Sequence, residues 1–380
     1  VNSLQDKAME PDYCVIGGGL VGASIAFGLV HSGKRVVMLD EGDIAFRASR
    51  ANFSLIWVQS KGLALPPYAV WTQTSARLWG ELSDLLQRET GIDVGHSQNG
   101  GFTLCLSDAE VVKRTSKLEK FFARPDAVPF DYEVLDHVET RRRLPDIGDA
   151  VVGSIYCPLD GHANALKLLR ALHTCFVRNG GDYRPARPVN EIVPLTGGGF
   201  SVRGAWGEVQ SPKIVLASGL GNKALGAFVD LNCPVRPSKG QIIVTEKTEP
   251  FLHNPMVTVR QTDEGGVMLG DSQEEKGFDT QIVDTGILSI MAERAIKMFP
   301  RLESLNVVRT WSALRVMSPD TFPIYDESRT APGAFSASCH SGVTLAASHA
   351  LELAPALATD ARLPGLLSAF SAERFDVPKN

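Results

Sequence analysis

Gly17, Gly19 and Gly22 stand between an apolar run at 13–16 and a second at 23–30. Glycines at this spacing do chemistry with the backbone. The first permits a tight turn, the second lets the main chain approach a pyrophosphate, and the third lets a helix pack closely on a strand. Amides at the N-terminus of the helix that follows then face negative phosphate oxygens. Asp40 closes the next apolar run, 18 residues beyond Gly22, where a carboxylate can accept hydrogen bonds from ribose hydroxyls. This pattern reads as a site for an adenine dinucleotide and leaves NAD and FAD both open.

A second constellation lies near the other end, at Cys339-His340-Ser341-Gly342-Val343-Thr344-Leu345. A small-residue loop leading into a helix presents free amides and the positive end of the dipole, which stabilise negative charge. An ordinary helix cap by Ser341 or Thr344 is the alternative. Arg260 and Arg315 are candidates to grip a carboxylate bidentately. Arg50 suits a pyrophosphate or a surface acid, His340 a ligand contact or a structural bond, and Lys239 a solvated or hydrogen-bonded position. No Ser–His–Asp or metal-ligand spacing is present.

The elements that must position these groups alternate at both ends. A strand at 13–16, a glycine turn, a helix at 23–31 and a strand at 35–40 make one βαβ unit with a right-handed crossover. An amphipathic helix is expected at 71–89, with further helices at 109–122, 139–144, 165–179 and 285–299. Strands are expected at 102–106, 188–193, 199–203, 207–210 and 213–217. Segments 231–246 and 255–269 read as antiparallel strands, with Asp263-Glu264-Gly265-Gly266 as a turn. A strand at 334–337 and a helix at 341–357 return to the first style. The uncharged stretch 13–30 is long enough for a marginal membrane span, but its glycine cluster favours the nucleotide turn.

Composition narrows the classes further. Of 380 residues, 44% are hydrophobic and 21% charged, with a net charge of −5 and a mean hydropathy of −0.02. These values exclude a disordered or collagen-like chain and give no global attraction to nucleic acid. Six cysteines (Cys14, Cys105, Cys157, Cys175, Cys233, Cys339) form no C-x-x-C pair, which argues for a reducing cytoplasm and against a zinc or iron–sulfur site in this chain.

Several motifs then occur in one order along nearly the whole chain. They are the turn from Gly17 to Asp40, Ala48-Ser49-Arg50-Ala51-Asn52, Asp160-Gly161-His162-Ala163-Asn164, and Val215-Leu216-Ala217-Ser218-Gly219. Arg236-Pro237-Ser238-Lys239-Gly240-Gln241, Trp311-Ser312-Ala313-Leu314-Arg315 with Ser318-Pro319-Asp320, and the Cys339 segment follow. Together they resemble the D-amino-acid oxidase (DAO) superfamily of flavoproteins. Ala165 stands where that family commonly has Pro, Ala313 where it has Gly, and Cys339 where Gly is usual.

The resemblance implies an α/β fold: a discontinuous, Rossmann-like FAD-binding domain (10–50, 146–225 and 310–380) with an inserted α+β substrate domain on an antiparallel sheet (51–145 and 226–309). It implies cofactor contacts from Gly17, Gly19, Leu20, Val21, Gly22, Asp40, Ser49, Arg50 and Asn52, then Val189, Ala217, Gly219, Arg315, Ser341, Gly342, Val343 and Thr344. It places His340, Arg315 and Arg260 at the chemistry. With no Cys or His from 310 to 330, noncovalent FAD is expected.

The implied reaction is oxidation of an amine carbon beside a carboxylate. Within the family the chain is similar to flavin-bearing β subunits of heteromeric amino-acid dehydrogenases, and above all to the opine (octopine/nopaline) group. Such assemblies add an α subunit, a small iron–sulfur subunit and in some cases FMN at the interface between subunits. Sarcosine, glycine, proline, hydroxyproline or D-amino acids are alternative substrates. The readings of another class are an NAD-dependent dehydrogenase and a non-catalytic, FAD-holding subunit.

Overall fold

The computed structural model describes residues 10–42, 48–270, 272–278, 283–360 and 362–376. Of the expected domain segments, residues 43–47, 271, 279–282, 361 and 377–380 lie outside the described residues. The chain opens with strand β1 (Tyr13–Ile16), helix α1 (Leu20–His31) and strand β2 (Val36–Leu39). Both strands are apolar and buried at every position, as a parallel strand covered on both faces must be. β1 lies between β2 and strand Lys213–Leu216, parallel to each. The six-stranded sheet continues to Asp182–Arg184 beyond β2, and on the other side to Ala334–Ser338 and the antiparallel edge strand Ile324–Glu327.

Helix α1 starts at Leu20, three residues earlier than the apolar run suggests, because Gly19 already has extended N-cap geometry. Its 12 residues span about 18 Å, well short of a bilayer core of about 30 Å. Among the described residues no helix is long and apolar enough to cross a membrane. At Gly28 the helix crosses a C-terminal segment so closely that a Cβ would lie 2.2 Å from the Ala350 carbonyl oxygen.

Helix α2 (Pro66–Thr90) is longer at its start than the expected 71–89, since Pro66 and Pro67 occupy the first turn, where proline initiates a helix. It buries Trp71, Trp79, Leu82 and Leu86 in the same core as α1. The helix expected at 341–357 begins only at Ala346 and contains a π-helical turn, His349–Leu353, before ending at Asp360. Residues 341–345 form a turn instead. Trp79 Nε1 donates to the carbonyls of Val343 and Thr344, taking up acceptors that a helix would use.

A four-stranded antiparallel sheet runs Val259–Gln261, Gly266–Leu269, Arg236–Lys247, Val307–Met317. The stretch 255–269 is two antiparallel strands joined by the expected turn at 263–266, in which Gly265 has φ +94°. Val307–Met317 lies outside the expected strands and pairs along nearly all of Arg236–Lys247. Facing residues in an antiparallel pair share a side. The register therefore sends Val259, Leu269 and Ile243 into a core with Phe299 and Leu302. It sets Arg260, Met268, Ile242, Gly240, Ala313 and Arg315 on the opposite face.

A smaller sheet joins Gly101–Cys105, Gly153–Cys157 and Glu133–Asp136. The expected division at 310 passes through Val307–Met317. The division at 146 leaves Gly153–Cys157 apart from both strands it pairs with. These are long-range pairings that local patterning does not display.

Candidate cofactor and substrate site

The glycine turn leaves β1 at the carboxyl edge of the parallel sheet. Gly17 has φ +113°, and a Cβ there would lie 2.4 Å from the Ala217 carbonyl oxygen. A Cβ on Gly22 would lie 1.8 Å from the Gly17 carbonyl oxygen, so this residue docks α1 on the turn. Between them Gly18 is held from two sides. Its amide donates to Asp40 Oδ2 at 2.6 Å, and its carbonyl accepts from His173 Nε2 at 2.8 Å. The other Asp40 oxygen accepts the Gly42 amide at 2.9 Å.

No side chain caps α1 through its N-cap, and its first turn contains no acid. Its Leu20 amide donates to Ser49 Oγ at 2.9 Å. A helix N-terminus free of its own carboxylate is ready for an anion.

A cavity of about 390 Å³ starts at this turn, within the range of about 300–1,000 Å³ typical of small-molecule sites. One end is bounded by Asp40, Arg187 and Val189 and the middle by Gly17, Gly19, Leu20 and Val21, with Ser49 and Asn52 beside them. Ala217, Gly219 and Gly342 continue the wall. The far end is formed by Gly240, Ile242, Ala313 and Arg315 from the antiparallel sheet and by Cys339 and His340. A Cβ on Gly19 would come 2.9 Å from Ser49 Oγ, so a side chain there would displace that hydroxyl from the Leu20 amide.

Arg315 donates to the Ser272 carbonyl at 2.7 Å. Its guanidinium lies across Gly240, with three atoms within 2.8 Å of where a Cβ would stand. Strand pairing thus explains why Gly240 and Arg315 occur in separate motifs: one makes room for the other. His340 is set by Lys61, whose Nζ is 2.9 Å from its Nε2. Burial and the neighbouring Lys61 and Arg315 cations hold this imidazole well below its usual pKa range.

Other expected residues sit elsewhere. Arg50 is exposed and does not line the cavity. Ser341 Oγ accepts from Tyr68 OH at 2.8 Å. The Thr344 hydroxyl donates to the Leu55 carbonyl and accepts the Trp57 amide, so it ties two distant segments together. Val343 is buried.

Arg260, 5% exposed, is behind Phe53: it donates to the Phe53 carbonyl at 2.5 Å and reaches His162 Nδ1 at 3.4 Å. No carboxylate among the described residues pairs with it, and burial lowers its pKa to about 10. Burial and Arg260 in turn bring His162 down to about 4.

Sequence reasoning missed His173, Arg187 and Lys61. The Pro185-Ala186-Arg187-Pro188 turn offered a weak signal for Arg187. Lys61 offered none, being 279 residues from its partner. Among the described residues no group of three or more His, Cys, Asp or Glu is placed to hold a metal.

The donor set fits a flavin adenine dinucleotide: a glycine cradle that a Cβ would fill, an acid-free helix start, a carboxylate at the second strand end, and a cationic far end. Comparison with known proteins agrees. The family model described as FAD dependent oxidoreductase (DAO) matches residues 12–356. The chain is 49% identical over 367 residues to an opine oxidase subunit of Agrobacterium tumefaciens (strain Ach5), covering 96% of this chain and 98% of that protein. It is 47% identical to the corresponding opine oxidase subunit of Rhizobium meliloti, over 97% and 98%. Glycine oxidase from Bacillus cereus superposes with a TM-score of 0.83 at 23% identity, over 95% of this chain and 98% of that one. L-Proline dehydrogenase from P. horikoshii gives 0.83 at 20% identity, over 97% and 98%. Those structures speak for the fold, and the match along the sequence speaks for the lineage: the chain belongs to the DAO family of FAD-dependent oxidoreductases.

Proposed function

We propose that this protein is the FAD-bearing subunit of a heteromeric opine oxidase. In this reading it oxidises a secondary amino acid of the octopine or nopaline kind, whose nitrogen lies between two carboxylate-bearing carbons. The observation that carries it is the near full-length identity of 47–49% to two opine oxidase subunits. The amides that open α1 would hold the pyrophosphate of a noncovalent FAD and Asp40 its ribose. When bound, FAD would supply the acceptor for the hydride lost from the substrate carbon beside nitrogen.

The chain's own residues bind and position. Arg315, braced by the Ser272 carbonyl, receives a substrate carboxylate in a charge-assisted bond. Burial, with Lys61 and Arg315 close by, disfavours a positive charge at His340 on the cavity wall. In this reading the substrate nitrogen binds unprotonated, with its lone pair available to the carbon that loses hydride. Loss of that hydride and the N–H proton leaves an imine, and water then releases an amino acid and a 2-oxo acid. Alignment of substrate and cofactor supplies most of the acceleration.

In this reading a second subunit, of the α type, completes the enzyme. Any iron–sulfur cluster is assigned to a small partner protein, because the six cysteines here are dispersed and five of them buried. FMN at an interface between subunits and a cytoplasmic location belong to the same proposal. The test is anaerobic reduction of the FAD-loaded protein by octopine, nopaline, glycine, sarcosine, proline and D-amino acids, followed at the flavin bands. Opines should bleach the flavin fastest. Bleaching by glycine or proline but not by opines would replace the substrate assignment, and bleaching by none, with partner chains supplied, would leave a non-catalytic subunit.

A further inference from the structure

We propose that Lys61 is a positioning residue that locks His340 as the Nδ1–H tautomer, so that the ring offers a hydrogen-bond donor to an oxygen of the bound ligand. The inference rests on the reading of this cavity as a flavin and substrate site.

The proton can be placed by counting donors. Lys61 Nζ is 2.9 Å from His340 Nε2, and an ammonium group has three donors and no acceptor. Ser341 Oγ is 3.3 Å from the same nitrogen. That hydroxyl already accepts from Tyr68 OH at 2.8 Å, which leaves its own proton free for His340. Two donors converging on Nε2 require a lone pair there. Burial and the cations Lys61 and Arg315 keep the ring neutral, so its single proton is on Nδ1.

Nδ1 has no hydrogen-bond partner among the described residues, yet it is not sealed in the interior. It therefore opens on the cavity, whose wall His340 shares with Arg315, Cys339 and Gly342. A donor in that position suits an oxygen acceptor, either a carbonyl of the flavin ring or a carboxylate of the substrate. In a neutral imidazole with no partner at Nε2, a share of the molecules would present a lone pair and repel that oxygen.

Lys61 is itself held in place. Its amide donates to the Val58 carbonyl at 2.9 Å. The Val58 and Gln59 amides and Gln59 Nε2 donate to the buried Asp160 carboxylate. The loop bearing the lysine is thus fixed to the Asp160-Gly161 turn rather than left to solvent.

The experiment is two-bond ¹H–¹⁵N correlation NMR on FAD-loaded protein labelled with ¹⁵N-histidine, His340 being assigned by its disappearance in His340→Gln. The wild type should show a protonated Nδ1 and a bare Nε2. Lys61→Met should shift the ring towards a mixture and Lys61→Arg should restore it. Melting temperatures identify any variant that merely fails to fold. A change at Nδ1 when FAD is added to apoprotein marks a flavin oxygen as acceptor, and a change only with pyruvate, an unreactive carboxylate, marks the substrate.

Lys61→Met should also lower kcat/KM for octopine by about tenfold, the worth of one hydrogen bond, with recovery in Lys61→Arg. A proton on Nε2 in the wild type, or a Lys61→Met spectrum identical to wild type, overturns the proposal. So does a Nδ1 signal that neither ligand moves. Because the tautomer is read without turnover, failure of octopine to act as substrate would sink the opine reading alone.

Discussion

Gly240→Ala should damage substrate binding while leaving the fold intact. A Cβ at this position would lie 2.5, 2.7 and 2.8 Å from Nη1, Cζ and Nη2 of Arg315. Relaxed contact requires about 3.5 Å, so the guanidinium must withdraw by about 1 Å. That movement strains or breaks the 2.7 Å bond to the Ser272 carbonyl and misplaces the fork meant for a carboxylate. Loss of a charge-assisted bond costs about 1.5–3 kcal/mol, or roughly 10–200-fold in kcat/KM. The clash is with the mobile end of a side chain, and alanine is easier than glycine to order in a strand by about 0.5–1 kcal/mol. Stability should therefore change little. The assay is steady-state kinetics with octopine beside thermal melting of the FAD-loaded protein. An unchanged kcat/KM, or a fall matched by an equal fall after Arg315→Met/Gly240→Ala relative to Arg315→Met alone, would refute the idea that Gly240 acts through Arg315.

Gly22→Ala places a Cβ 1.8 Å from a backbone oxygen, which cannot swing aside. It should lose several kcal/mol of stability and most FAD affinity, read by urea unfolding and flavin fluorescence, and a wild-type affinity would argue against the close docking of α1 on the turn. Asp40→Asn keeps one acceptor but sets a donor against one of the two amides that Asp40 now satisfies. FAD should bind on the order of tenfold to a hundredfold more weakly, and titration of apoprotein would reveal equal binding if the carboxylate were unimportant. Burial pushes Asp160 up to about 7, against its bonds from Val58 and Gln59 that favour the charged form. With an unfolded value of about 3.9, its contribution to stability is complete below pH ~4 and is lost as pH rises towards 7, by roughly 1.4 kcal/mol per unit. Asp160→Asn should remove that slope, and urea midpoints at pH 5 and pH 7 that fall equally in both proteins would contradict it.

The amino-acid sequence alone determined the parts that depend on neighbours in the chain. The turn from Gly17 to Gly22 is legible because a strand, a tight turn and a helix must be contiguous, and Asp40 because one crossover sets its distance. The buried run 13–16 and the amphipathic helix near 71–89 followed from apolar spacing. Tertiary structure decided the rest. The strand Val307–Met317 has no clear alternation, and only its partner Arg236–Lys247 makes it a strand. The loop 341–345 is kept from helix by Trp79, Leu55 and Trp57, hundreds of residues away. Arg315 faces the cavity because of sheet register, whereas Arg260 shares its face yet lies behind Phe53. Lys61 met His340 only through folding. Local periodicity reports which side of an element is apolar, while the meeting of two side chains depends on how distant elements pack, and no short window of residues contains that information.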